Sequence, residues 1–209
     1  VDCGNTCRRG ILRYRTDGSL EGPESEADGG NGALMRNLPA VLATLHDEAL
    51  FERLSIAQSH ITHHHRLSDA AVLGIGTLLR AILRGADAAA QATLVDQMVA
   101  RTPAFRFTPY RGRASGYVVD TVQTVLHFFS SHAGFEDAVV ATVNQGDDAD
   151  TTGALVGMLA GARCGARALP RRWLARLDRS VHATVVDQAS ALLALSLAPV
   201  GSQAVVASF

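Results

Sequence analysis

The sequence predicts an all-α protein, and three observations carry that expectation. Apolar residues recur at helical spacing through most of the 209 residues. No convincing strand interrupts them: the stretch richest in β-branched residues, Val139 to Val143, keeps helix spacing and lies among alanines. Hydrophobic residues make up 47% of the chain and charged residues 19%, a balance that favours a compact core over disorder. The length suits one domain spanning 1–209, and no stretch reads as a flexible linker.

The elements follow in order. Leu50, Leu54, Ala57 and Ile61 line one helix face and run into Thr62-His63-His64-His65. Ser68 offers an N-cap, with Asp69 in the first turn, for an apolar helix through Leu83. Asp87 to Arg101 reads as another helix, and Ala183 to Leu197 as the last. Between them Val118, Val119, Val122, Val125, Leu126 and Phe129 form a single stripe. The total is roughly eight helices of ordinary length. Three irregular stretches remain: Thr16 to Gly32, Thr102 to Gly116, and Asn144 to Asp147. Loops longer than turns require usually have a functional task.

Composition excludes several functions. A formal net charge of -1 gives no general attraction to nucleic acid, and no basic stretch alternates with stacking aromatics. All 19 basic residues are Arg, so P-loop, Schiff-base and general-base lysine chemistry are ruled out. The 3 cysteines are too few for a disulfide framework and point to a reducing, cytoplasmic setting. Cys3 and Cys7 lack a Cys/His partner pair at zinc-site spacing. No uninterrupted apolar run reaches the length of a membrane span, and Val1-Asp2-Cys3-Gly4-Asn5 is not a signal peptide.

Asp148-Ala149-Asp150-Thr151 is the most informative segment. It supplies two carboxylates and a hydroxyl within four residues, the oxygen ligands that Mg²⁺ and Mn²⁺ require, and Asn144 and Gln145 just before it could help shape a site. Helix capping explains the same residues, because Asp and Thr accept from free N–H groups and complement the helix dipole. Asp147, Asp148 and Asp150 together exceed what a cap needs, and their mutual repulsion would raise their pKa values unless a cation lay among them. This segment alone is compatible with a cap and with a cation site. Gly153, Gly157, Gly161 and Gly165 then fall at intervals of four; each weakens a helix by up to about 1 kcal/mol relative to Ala, so another backbone is expected to approach closely.

Three further places could bind a ligand. In Glu26-Ala27-Asp28-Gly29-Gly30-Asn31-Gly32 a glycine-rich turn exposes backbone N–H groups beside two carboxylates, although a solvated acidic loop has the same composition. His60 and His64 stand at i, i+4 as in His-Glu-x-x-His zinc sites, but without the glutamate. A helix-end cluster is the favoured reading there, with one His meeting a ligand and the others solvated or capping. Ser115-Gly116-Tyr117 precedes a helix, where a phosphate could sit; an N-cap Ser with a core Tyr is the favoured reading of that pattern.

Taken together these segments resemble the ADP-ribosylglycohydrolase family. The similarity lies in Asn144-Gln145-Gly146-Asp147-Asp148-Ala149-Asp150-Thr151 with Leu159-Ala160-Gly161-Ala162, Pro170 and Trp173-Leu174. It is greatest to the dinitrogenase reductase-activating branch, through 1–10, Gly30-Asn31-Gly32-Ala33, Ile61-Thr62-His63 and 117–121. The resemblance implies an all-α fold, two Mn²⁺ or Mg²⁺ ions, and hydrolysis of the N-glycosidic bond between ADP-ribose and an arginine side chain. It implies Asp148, Asp150 and Thr151 as metal ligands, and Asp2 as the acid/base residue. Asn5, Glu26 and Asp28 are implied around the ribose and metals, with Glu26 and Asp28 in the catalytic set. His63 and Tyr117 are implied to contact the ADP portion, and Gly30, Asn31, Gly32, Ser115 and Gly116 are expected among the substrate-binding residues. Such chemistry suits the residues: carboxylates stabilise the oxocarbenium character of the ribose, and a divalent cation makes water a better nucleophile at neutral pH. The substrate implied is ADP-ribosylated dinitrogenase reductase, and the branch is associated with PII-type nitrogen-signalling proteins. A catalytically incomplete ADP-ribose- or ADP-binding protein is the alternative.

The family pattern also departs from this chain. Its Gly-Asp-Ala-Leu-Gly-like and Thr-Asp-Asp-Thr-like segments, which bring the remaining metal ligands, do not occur in these 209 residues. The expectation is therefore a domain incomplete at its N-terminus. Asp147 stands where the family usually has Gly, and Arg66 where this branch often has Pro.

Overall fold

A computed structural model describes residues 4–197. Among them are eleven α-helices and no strand: α1 (Asn5–Asp17), α2 (Gly32–Met35), α3 (Leu38–Ala43), α4 (Glu48–His60), α5 (Arg66–Leu83), α6 (Ala88–Arg101), α7 (Val118–Ser131), α8 (Phe135–Asn144), α9 (Ala149–Cys164), α10 (Arg171–Leu174) and α11 (Arg179–Leu197). The all-α expectation holds. The count exceeds eight because α2, α3 and α10 are too short to show a period, and because α1 lies in a segment to which no helix is assigned by spacing.

The core lies where α5, α7 and α9 meet. Val72, Ile75, Leu78 and Leu79 of α5 face Val118, Val122, Val125 and Leu126 of α7, and Leu155, Val156 and Leu159 of α9 complete the cluster, all buried. Each such side chain contributes about 1.5–3 kcal/mol relative to exposure. Into this core reaches Arg80, 2% exposed, which ion-pairs with Glu48 at 3.2 Å, donates to the Leu45 carbonyl and stacks over Phe51.

α5 begins three residues earlier than expected. His65, not Ser68, is its N-cap, its ring Nδ1 accepting from the Leu67 N–H at 3.1 Å. Ser68 is instead buried inside the first turn, and its hydroxyl donates to the Asp28 and Gly30 carbonyls. A ring nitrogen serves as a cap acceptor as well as a hydroxyl does, which sequence rules for caps do not weigh.

The glycine stripe of α9 also has a different cause from the one expected. A Cβ on Gly153 would lie 2.8 Å from Val143 Cγ2, on Gly157 3.6 Å from Val139 Cγ2, and on Gly161 3.6 Å from Phe135 Cε2. Side chains of α8 at i, i+4 and i+8, rather than a backbone, fill the groove, as ridges-into-grooves packing allows. Gly165 lies past the helix end as its C-cap.

One exclusion needs correction. α11, with a mean hydropathy of 1.2 over its best window, is long and apolar enough by length and composition to cross a membrane, and only 6% of that window is buried. Asp187 and Gln188 interrupt its apolar run, so the helix passes on length and average hydropathy without an unbroken apolar stretch. The helix packs along α3.

Candidate functional site

The three irregular stretches converge on the start of α9. Gly30 and Tyr117 form an antiparallel bridge, closed by Asn31 N–H to the Gly116 carbonyl at 3.0 Å and Val118 N–H to the Gly29 carbonyl at 2.9 Å. The Asp148 N–H then reaches the Ala114 carbonyl at 3.0 Å, and Asp147 Oδ2 accepts from the Ala114 N–H at 3.3 Å. Asp147 has φ 53, left-handed backbone that favours Gly and tolerates Asp. That geometry accounts for Gly as the expected residue there.

Asp148 is the N-cap of α9, yet its side chain makes no capping bond. Its Oδ2 accepts instead from the Asn31 side-chain amide at 2.5 Å, and the same amide donates to Thr121 Oγ1 at 2.9 Å. Capping therefore does not explain Asp148. Asp150 is exposed and lies below the usual carboxylate range, first through a hydrogen bond with Asp148 and then through the Thr151 N–H and its own. Crowding was expected to raise these pKa values; at Asp150 the shared hydrogen bond and helix-start N–H groups outweigh it. Thr151, 9% exposed, has one weak hydroxyl contact among the described residues, to Met35 Sδ at 4.0 Å.

Asp148, Asp150 and Thr151 thus present hard oxygen donors from one helical turn, the two carboxylates positioned by Asn31 and the Thr151 N–H. That donor set fits Mg²⁺ or Mn²⁺.

The other expected residues divide. Gly116 abuts the site, a Cβ there lying 3.8 Å from Asp148 Oδ2. Tyr117 is the N-cap of α7 and is 45% exposed, so its ring is on the surface rather than in the core. Ser115 is not that N-cap. Its hydroxyl donates to Asp120 Oδ2 at 2.6 Å and accepts from the Tyr117 N–H, which commits it to the loop. Asp28 is nearly buried and ion-paired with Arg9. Glu26 is exposed and accepts from His65 Nε2 at 3.3 Å; with Nδ1 serving the cap, the neutral ring carries its proton on Nε2. No hydrogen bond joins Glu26 or Asp28 to Asp148 among the described residues. Asn5 is exposed at the start of α1, and Asp2 lies outside the described residues.

His63 is 4% exposed beneath the glycine loop. A Cβ on Gly32 would lie 2.6 Å from its Cε1 and one on Gly30 3.0 Å from its Nε2, so these glycines let the loop close over the ring. Burial, with Arg36 and Arg9 nearby, lowers its pKa to about 4. Gly30 and Gly32 are thus explained by packing on His63 as well as by any ligand.

Sequence reasoning missed Thr121 and Arg9. Thr121 lay inside an apolar helical stripe, and no local spacing pairs Arg9 with Asp28.

A model of the ADP-ribosylglycohydrolase family matches residues 1–201. The chain belongs to that family. It is 49% identical over 196 residues to the ADP-ribosyl-[dinitrogen reductase] glycohydrolase of Rhodospirillum rubrum, spanning 94% of this chain and 67% of that one. The ADP-ribosylarginine hydrolases Tri1 of Pseudomonas putida (strain GB-1) and Serratia proteamaculans (strain 568) are each 29% identical, across 87% and 84% of this chain. The chain spans about half the length of those two relatives. A solved ADP-ribosylglycohydrolase-related protein complex superposes with a TM-score of 0.80 at 34% identity, covering 92% of this chain and 69% of its own.

Proposed function

We propose that this chain carries out the hydrolytic removal of ADP-ribose from an arginine side chain of a modified protein, with ADP-ribosylated dinitrogenase reductase as the substrate. The supporting observation is the Asp148 carboxylate, freed from capping and fixed by Asn31 beside Asp150 and Thr151. The 49% identity to a dinitrogen reductase glycohydrolase supports the substrate.

Asp148, Asp150 and Thr151 would hold Mn²⁺ or Mg²⁺, whose charge would favour a hydroxide-like water near neutral pH. Hydrolysis breaks the bond between the ribose anomeric carbon and the guanidine nitrogen and forms one to a water oxygen, with a proton passing to the departing guanidine. Asp148 and Asp150 add negative potential where the ribose becomes cationic. Asn31 is a positioning residue: its amide sets the direction of the Asp148 carboxylate. The exposed Tyr117 ring offers a face to the adenine.

The test is an assay of the purified chain with Mn²⁺ on ADP-ribosylated arginine protein. Asp148→Asn and Asp150→Asn should abolish metal-dependent release with little loss of stability. Asn31→Ala should weaken Mn²⁺ binding by about 10- to 100-fold, as loss of a group orienting a ligand does. Full turnover in both Asp variants would overturn the metal assignment. A second reading, ADP-ribose binding without turnover, is favoured by the engagement of Asp28 with Arg9 and of Glu26 with His65. Tight ADP-ribose binding with no release would select it.

A further inference from the structure

The histidine run 60–65 faces two ways. His63 and His65 turn toward the glycine loop and Glu26, as described. His60 and His64 turn to the opposite side, toward the loop that follows α1. His60 Nδ1 lies 3.0 Å from Glu21 Oε1, and His64 Nδ1 lies 3.7 Å from the same oxygen. The ligand atoms of Glu21, His60 and His64 all fall within 4.8 Å of one another. Two atoms bound to one tetrahedral zinc ion stand about 3.3 Å apart, so the cluster already has nearly that spacing.

Two independent features sharpen this. His60 Nε2 lies 3.0 Å from Asp69 Oδ2, the carboxylate–histidine arrangement that fixes a ring with its other nitrogen free to bind a metal. Asp69 Oδ1, in turn, is buried with no hydrogen-bond partner, so this carboxylate meets the cluster through Oδ2. His60 and Glu21 also border an open groove with Ile56, Ala57 and Arg53, which gives an ion a path in.

We propose that Glu21, His60 and His64 form a zinc site that staples the loop after α1 to the corner between α4 and α5. Two imidazoles and one carboxylate suit borderline-soft Zn²⁺ far better than Mg²⁺, and water would fill the fourth position. The rings lie stacked at 3.5 Å with planes 14° apart, and His64 Nδ1 holds the Gly22 carbonyl at 2.6 Å. Capture of the ion exchanges the His64 hydrogen bond for the metal, while Asp69 keeps the His60 ring in place. The site is separate from the Asp148 cluster and does not rest on the hydrolase reading.

Zn²⁺ titration of the full chain by calorimetry tests it, in an Asp148→Asn, Asp150→Asn background so that no oxygen site competes. One equivalent should bind, and His64→Gln or His60→Ala should remove it. Asp69→Asn, which keeps all three ligands, should weaken it by about 10- to 100-fold. Co²⁺ in place of Zn²⁺ should give the intense visible absorption of a four-coordinate centre, lost in His64→Gln. Circular dichroism on His64→Gln, a partly exposed position, checks that the variant is folded. Undiminished Zn²⁺ binding in folded His64→Gln, or no binding by the parent chain, would overturn the proposal.

Discussion

His63 has a direct consequence for stability. Its pKa falls from the ordinary 6.5 to about 4 in the fold, so below pH 6.5 the unfolded chain takes up a proton that the native chain resists. Its contribution is therefore fully present above pH 6.5 and is lost as pH falls toward 4, by about 3 kcal/mol at most. Chemical denaturation of His63→Asn across that window should show a flatter pH dependence than the parent; an unchanged slope would mean that the ring is not held neutral. The sequence makes Asp148, Asp150 and Thr151 visible because oxygen donors crowd one turn. It cannot decide between cap and ligand, since that depends on Asn31, which lies 117 positions away. For the same reason Glu26 and Asp28 are legible as acids while their partners, His65 and Arg9, are not.

At the level of elements, α9 carries the candidate ligands and α8 holds it in place. Gly157 has ordinary space for a methyl group, 3.6 Å from Val139, whereas Gly153 has only 2.8 Å to Val143. Gly157→Ala should accordingly stabilise by up to about 1 kcal/mol through helix propensity. Gly153→Ala should lose most of that gain, and Gly153→Leu should push α9 away from α8 and weaken Mn²⁺ binding at Asp148. Thermal melts of the three variants separate these outcomes; equal gains at both positions would contradict the packing. Long amphipathic helices such as α5 and α7 are readable from their stripes. What escapes is how they start and what fills their grooves, because the His65 cap and the α8 ridge are tertiary choices rather than periodic ones.

For the whole molecule, the candidate site exists only because segments 29–31, 114–118 and 147–148 meet. Mn²⁺ binding should therefore slow amide exchange in all three segments together, and protection confined to 147–151 would show that the ion does not engage the assembled loops. The amide of Asn31 also joins positions 90 and 117 residues apart, through Thr121 and Asp148. Closing such distances costs chain entropy before any contact repays it. The Asn31 clasp closes only once α7 and the start of α9 have come together. A chain that loses it should still fold quickly and stay helical, but with a carboxylate free to swing. Two hydrogen bonds from one amide would in this way separate a folded chain from one able to bind the proposed ion.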